Sequence, residues 1–269
     1  GAPALPIEGL NGEVRLAIVD EGGKINVNAI ASDSSSSFGF PYPAQVSQQQ
    51  TAQTPGAIDP ASFWKSALRE LFVSAGFVRE QYERNETRTL GNTAFGPEEQ
   101  VAAIHDWIDS DSNSHSSANF PGQGIESSAD KAWFYNRVFR TISELALVPG
   151  MTPERMSRIA PFVRTSQPQS SKVNINTAPL EVLLAIGIPE SQAREIFAER
   201  TNLPIDSAML QNITAGDAQL ARVAAVTSQE FSAFALIKMA NVTRWARASI
   251  NVQGSTTSRR AFINGIEIM

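Results

Sequence analysis

Two nearly identical phrases constrain this chain more than any other feature: Lys24-Ile25-Asn26-Val27-Asn28-Ala29 and Lys172-Val173-Asn174-Ile175-Asn176-Thr177-Ala178. Each alternates a β-branched residue with asparagine, so each reads as a short strand that stops in residues able to satisfy free backbone amides. In the second copy Asn176 or Thr177 can cap a helix, and Pro179 falls in the first turn, where no amide donor is needed. Leu180, Leu183 and Leu184 then recur at i, i+3 and i+4, which predicts one buried helix face. Gly187 ends that helix, and Pro189 opens another carrying Ala193, Ile196 and Phe197 on its apolar side.

The rest of the chain takes its place around the two copies. Residues 1–12 are rich in Pro and Gly and read as a lead-in linker; residues 14–19 read as a strand, turned by Asp20-Glu21-Gly22-Gly23. From 31 to 58 the composition shifts to Ser, Gln and Pro, which cannot bury enough apolar surface to offset ordering entropy, so a long flexible loop is expected. Asp59-Pro60 starts a helix with the stripe Trp64, Leu68, Leu71 and Phe72, closed by Gly76. A second helix runs from Pro97 to about Asp109 on Val101, Ile104 and Ile108, and Thr152-Pro153-Glu154 starts a third. The stretches around Gly76, Gly150 and Gly187 resemble one another and suggest related helix–turn–helix units.

The last part of the chain is β-rich, with runs at 231–237, 242–252 and 257–268. Val242, Ala246, Ala248, Ile250 and Val252 share one face of the middle run, while Thr243, Arg247, Ser249 and Asn251 share the other. That alternation predicts an antiparallel sheet with one wet side. The fold class is therefore α+β: an N-terminal strand, a helical middle and a C-terminal meander.

Composition removes several function classes. A formal net charge of −5 makes the chain a poor generic ligand for nucleic acid or anionic membrane. Without cysteine there are no disulfides, thiol nucleophiles or thiolate metal sites. No apolar run reaches the roughly 18–20 residues that span a bilayer. A membrane anchor, where the natural protein has one, is expected upstream of Gly1, which reads as a cut rather than a natural start.

The densest polar cluster is His105-Asp106-Trp107-Ile108-Asp109-Ser110-Asp111-Ser112-Asn113. Asp106 and Asp109 are three apart at a helix end, expected on a face opposite Ile104 and Ile108, and Asp111 follows in a loop that runs to Glu126. Crowded carboxylates repel one another, and a hard cation such as calcium relieves that repulsion. Asp109-x-Asp111-x-Asn113 copies the start of an EF-hand loop, but Ser114 and Phe120 stand where that loop needs Gly and Glu. From spacing alone two readings stand: a solvated acidic helix end, or an irregular calcium site. Zinc lacks a third nitrogen or sulfur ligand, since His115 is the only histidine besides His105.

The second copy and the helices after it also resemble the helix-hairpin-helix motif of DNA-binding proteins. Ala185 replaces its first hairpin glycine, and Glu190 stands where that family favours Lys or Arg. A DNA-binding module is thus the alternative function. Two histidines, both near the acidic loop, give no nucleophile–base arrangement, and no phosphate-binding glycine loop is present, so an enzyme is not expected.

Taken in order, the phrase 20–28, Asp106-Trp107-Ile108-Asp109-Ser110-Asp111, Ser143-Glu144-Leu145 with Val148-Pro149-Gly150-Met151, and the phrase 173–178 resemble the minor pseudopilin K family of the bacterial type II secretion system. The resemblance implies a pilin-like α/β domain, discontinuous at 1–30 and 172–269, interrupted by a large all-α domain at 59–171 after the 31–58 loop. It implies a place at the tip of the periplasmic pseudopilus, in complex with the minor pseudopilins I and J, and an inner-membrane anchor in the full-length protein. It also implies structural calcium, carried over to Asp106, Asp109, Asp111 and Glu126. Glu126-Ser127 stands where a paired acidic motif is usual in that family.

Overall fold

The computed structural model describes residues 4–6, 12–31, 60–81, 93–127, 134–168, 171–255 and 258–268. The expected flexible loop, apart from Ala31, lies outside the described residues. In chain order the first elements are β1 (Ala4–Pro6), β2 (Gly12–Asp20), β3 (Ile25–Asn26), α1 (Pro60–Ser74), β4 (Glu80–Gln81), β5 (Ala94–Phe95) and α2 (Pro97–Ile108). Then come α3 (Pro153–Ile159), β6 (Val163–Arg164), β7 (Val173–Asn174), α4 (Leu180–Ala185), α5 (Glu190–Glu199), α6 (Ser207–Ile213) and α7 (Ala218–Val223). The chain ends in β8 (Ala224–Ala225), β9 (Glu230–Met239), β10 (Val242–Ser255) and β11 (Ser258–Ile268). It divides into a sheet unit, 1–24 with 172–180 and 191–269, and a helical unit, 25–171 with 181–190.

The sheet unit is built on a five-stranded antiparallel sheet in the order β1-β2-β9-β10-β11. The lead-in predicted as a linker supplies the edge strand β1, which pairs Ala4 with Arg15 and Pro6 with Glu13. Register puts Leu16 and Ile18 opposite Ala235 and Ala233, those opposite Ala246 and Ala248, and these opposite Ile268 and Ile266. Directly paired residues share a face, so one side of the sheet is apolar across four strands. The expected alternation is present, but among the described residues that apolar side is uncovered: Ile18, Ile266 and Ile268 are 71%, 64% and 76% exposed. An extra residue at Asn264, between the pairs Ser249↔Gly265 and Ile250↔Ile263, bends β11.

At one end of this sheet Asp20 ties the second asparagine phrase into the unit. Its Oδ1 accepts from Gly22 N–H, while its Oδ2 accepts from Asn174 Nδ2 at 2.8 Å, Thr177 Oγ1 at 2.7 Å and Ser228 Oγ at 2.7 Å. A β-carbon at Gly23 would strike the Thr177–Ala178 backbone at 2.8–2.9 Å, so the turn after β2 admits no side chain there. Asp206 and Asp217 cap α6 and α7, each accepting two amides at 2.9 Å. Phe197, expected in the apolar face of α5, is instead exposed, with the Arg200 guanidinium over its ring. Arg200 is held there because it also donates to the carbonyls of Ile175 and Ala178.

In the helical unit α1 buries Trp64, Leu68, Leu71 and Phe72, as its periodicity predicts, and Gly76 ends it at φ +75°. The unit is not purely helical. A parallel pair, β3 with β6, and an antiparallel pair, β4 with β5, accompany 3-10 turns at Val27–Ala31 and Ile142–Leu147. Arg155, 5% exposed, donates to Gln100 Oε1 and to the carbonyls of Val78, Phe95 and Gly150, fastening α3 to the segments around α2.

Candidate metal centre

The acidic cluster forms where α2 ends. The sequence places Asp106 on a polar side opposite Ile104 and Ile108, yet every residue from Gln100 to Ile108 is buried. The cause is the following loop, which folds back over the helix. Asp106, 0% exposed, collects three of the loop's backbone amides: His115 N–H on Oδ1 at 2.7 Å, and Ile125 and Glu126 N–H on Oδ2 at 2.6 and 2.9 Å. A β-carbon at Gly124 would run into the Asp106 carboxylate, so glycine lets the loop approach this closely. Burial pushes the Asp106 carboxyl up, against the pull of those three amides. Reciprocal bonds between Ser114 and Ser127 close the loop further out.

With the loop held, carboxylate oxygens of Asp109, Asp111 and Glu126 come within 4.8 Å of one another. A second such grouping joins His105, Asp106 and Asp109. Asp109 terminates α2, and its Oδ2 lies 3.1 Å from His105 Nδ1. Its Oδ1 is buried with no hydrogen-bond partner, and the same holds for Glu126 Oε2. Glu126 is 1% exposed, and its carboxyl is pushed up to about 7 by that burial, with Asp109, Asp106 and Asp111 adding to the effect. Asp111 is exposed; its Oδ1 accepts the Asn113 amide at 2.7 Å.

Sequence reasoning missed one member of the site. Asn136 donates from Nδ2 to the Asp111 carbonyl at 2.7 Å and to Glu126 Oε1 at 3.2 Å, while its own Oδ1 is buried without a partner. It sits at φ +45°, beside Phe134 and Tyr135, whose rings pack on Trp107 at centroid distances of 5.7 and 5.6 Å. No local pattern marks it, because its partners lie 10 and 25 residues away. His105 and His115 have ring centroids 4.5 Å apart, and His115 is not among the grouped ligand atoms. The groupings among the described residues are therefore mainly oxygen, the donor set of a hard cation rather than of zinc.

Comparisons with known proteins bear on the whole chain. The family profile described as "Type II secretion system (T2SS), protein K" matches residues 23–166, more than half the sequence. Among solved structures, a chain of the GspK-GspI-GspJ complex from the type 2 secretion system of enterotoxigenic Escherichia coli has a similar fold, at a TM-score of 0.60 and 16% identity. That match covers 100% of this chain and 83% of the other. No curated protein matches the sequence. Neither match points to nucleic acid. The chain, a mixed helix and sheet protein that carries both asparagine phrases and the acidic loop between them, belongs to the protein K family of the type II secretion system, the minor pseudopilins K.

Proposed function

We propose that the chain is a non-enzymatic assembly subunit, a minor pseudopilin at the tip of the type II secretion pseudopilus. In this reading it initiates or caps assembly together with the minor pseudopilins I and J, for export of folded proteins across the outer membrane. The observation that carries it is the uncovered apolar face of the sheet. Ala233, Ala235, Ala246 and Ala248 form a shallow floor, flanked by Leu16 and Ile18 on β2 and by Ile263, Ile266 and Ile268 on β11. Adjacent strands lie about 4.8 Å apart, so the trough from β2 to β11 is about 14 Å wide. An α-helix is roughly 10–12 Å across with its side chains and fits such a floor. Exposed apolar surface of this extent marks an association site.

The similar solved fold comes from a complex of the proteins K, I and J, which supports I and J as the partners. The size of the helical unit supports an end position in the filament, and the pilin-like part is the sheet unit. No helix among the described residues is long and apolar enough to cross a membrane. The placement in the periplasm, with an inner-membrane anchor in the full-length protein, follows the family. Co-purification with I and J tests the reading. Wild type is expected in a complex, whereas Ala246→Glu or Ala235→Glu, on the half-buried alanine floor, keeps the fold and loses the complex. A wild-type chain that ignores both partners removes the basis of the proposal.

Calcium is proposed as the structural cofactor of the helical unit. The residues fit: two buried carboxylate oxygens without partners, Asp109 Oδ1 and Glu126 Oε2, belong to a cluster whose repulsion a bound cation would relieve. Asp109, Asp111 and Glu126 would hold the ion. Asp106, named with them on the sequence, has both oxygens on backbone amides and positions the loop instead. Bound calcium would cancel the repulsion among the carboxylates and tie the end of α2 to its loop.

A further inference from the structure

Asn136, like Asp109 and Glu126 beside it, has one buried side-chain oxygen without a hydrogen-bond partner, and it carries no charge. We propose that its amide is a built-in stand-in for the cation: Nδ2 holds the site together when no ion is present, and Oδ1 becomes a ligand when one is. The inference rests on the metal reading of the acidic cluster. Three observations support it. Nδ2 bridges two oxygens from separate segments, the Asp111 carbonyl and Glu126 Oε1, both of the hard type that a calcium-like ion takes. Oδ1 is buried and has no partner, in a site where the Glu126 Oε2 atom, on a side chain 1% exposed, also has none. The residue is held at φ +45°, a conformation that asparagine tolerates better than most residues, with Phe134 and Tyr135 fixed against Trp107.

An amide suits this double role better than a carboxylate. It offers two donors on one atom and an acceptor on the other, and half a turn of the amide exchanges them without moving the backbone. Aspartate at this position would add another negative charge to Asp109, Asp111 and Glu126 and would hold nothing together in the metal-free protein. Asn136 is therefore a positioning residue without the ion and a ligand with it.

The experiment is a terbium titration of the full chain, read by emission sensitised through Trp107, which is 4% exposed beside Tyr135, with calcium as competitor. Melting temperatures are measured with and without metal. Asn136→Gly removes the amide while suiting the positive φ, and Asn136→Asp keeps the oxygen and loses the donor. Wild type is expected to give calcium-displaceable emission. Asn136→Gly should weaken terbium affinity about tenfold, within the range known for residues around metal ligands. Asn136→Asp should bind more tightly yet melt at a lower temperature when metal-free, a crossing that a merely structural role does not produce. Wild-type terbium affinity in both variants overturns the proposal and leaves the metal reading intact. Wild type without sensitised emission and without heat on calcium addition overturns both.

Discussion

The two asparagine phrases can be compared residue by residue, because each is used within a single unit. Both open with a two-residue parallel ladder, Ile25-Asn26 against Val163-Arg164 and Val173-Asn174 against Ala224-Ala225. In both, the strand asparagine accepts the amide of the residue two places on: Asn28 N–H to Asn26 Oδ1 at 3.2 Å, Asn176 N–H to Asn174 Oδ1 at 3.1 Å. In both, the second asparagine clamps the N–H and C=O of one distant residue, Phe139 for Asn28 and Ile205 for Asn176. Its Nδ2 then reaches a second carbonyl just past the partner strand, at Ser166 and Val226. The phrase is thus a small device for sewing a remote segment to a strand end. Its copies differ at the first asparagine. Asn26 Nδ2 goes to the carbonyls of Ser166 and Gln167, whereas Asn174 Nδ2 goes to Asp20 and Ser228. One copy sews backbone to backbone, and the other is anchored on a carboxylate at the end of β2.

The comparison breaks most visibly at the clamps. Asn28 is 1% exposed, so Asn28→Ala strands the Phe139 amide and carbonyl in a dry site and leaves the Ser166 carbonyl only its longer bond from Asn26. A loss of about 4 kcal/mol is expected in denaturant melts, with hydrogen exchange rising in the helical unit. Asn176 is only half-buried, and Asn176→Ala should cost about 2 kcal/mol, localised to the sheet unit. Equal losses, or a change in the other unit, would mean that the copies do not act as separate clamps.

Metal should distinguish the same two units. Calcium at about 100 times its dissociation constant is expected to stabilise the helical unit by roughly 2.7 kcal/mol. The gain should vanish with chelator and in Asp109→Ala or Asp111→Ala, leaving exchange in the sheet unit unmoved.

A smaller effect follows from pH. The Glu126 carboxyl in the metal-free fold titrates at about 7, above its ordinary 4.5, so the protonated form is favoured by folding. Its contribution is fully present below the ordinary value and is lost as pH rises through about 7. Metal-free protein should therefore lose on the order of 2 kcal/mol between about pH 5 and 8, and Glu126→Gln should flatten that slope. Calcium affinity should run the other way, strengthening as the carboxyl ionises. A substitution on the sheet floor, Ala246→Glu, is expected to change stability least, within about 0.5 kcal/mol, while abolishing association with the partners.

Much of the chain was legible because helix periodicity and capping act over three or four residues. The buried stripe Trp64, Leu68, Leu71 and Phe72, the Thr152 cap of α3 and the closing glycines at 76, 150 and 187 could all be read locally. The acidic loop was also legible as a concentration of carboxylates. The expectations that changed depend on what packs against an element. Residues 4–6 became an edge strand because β2 offered them a free ladder, and Phe197 stayed outside because Arg200 lies over it. Asp106 was taken from the solvent side because the loop placed its amides there.

The sequence by itself determined the two asparagine phrases, the helices they precede, and where negative charge would gather. Only the tertiary structure decided what those asparagines hold, since Asn28 reaches Phe139 across 111 residues and Asn174 reaches Asp20 across 154. It alone chose which carboxylates converge, brought Asn136 between them, and left one apolar face of the sheet uncovered among the described residues. The physical reason is range. Propensity, capping and periodicity are properties of neighbouring residues, whereas a clamp, a cation site or an open face is defined by groups that meet only once the chain has folded.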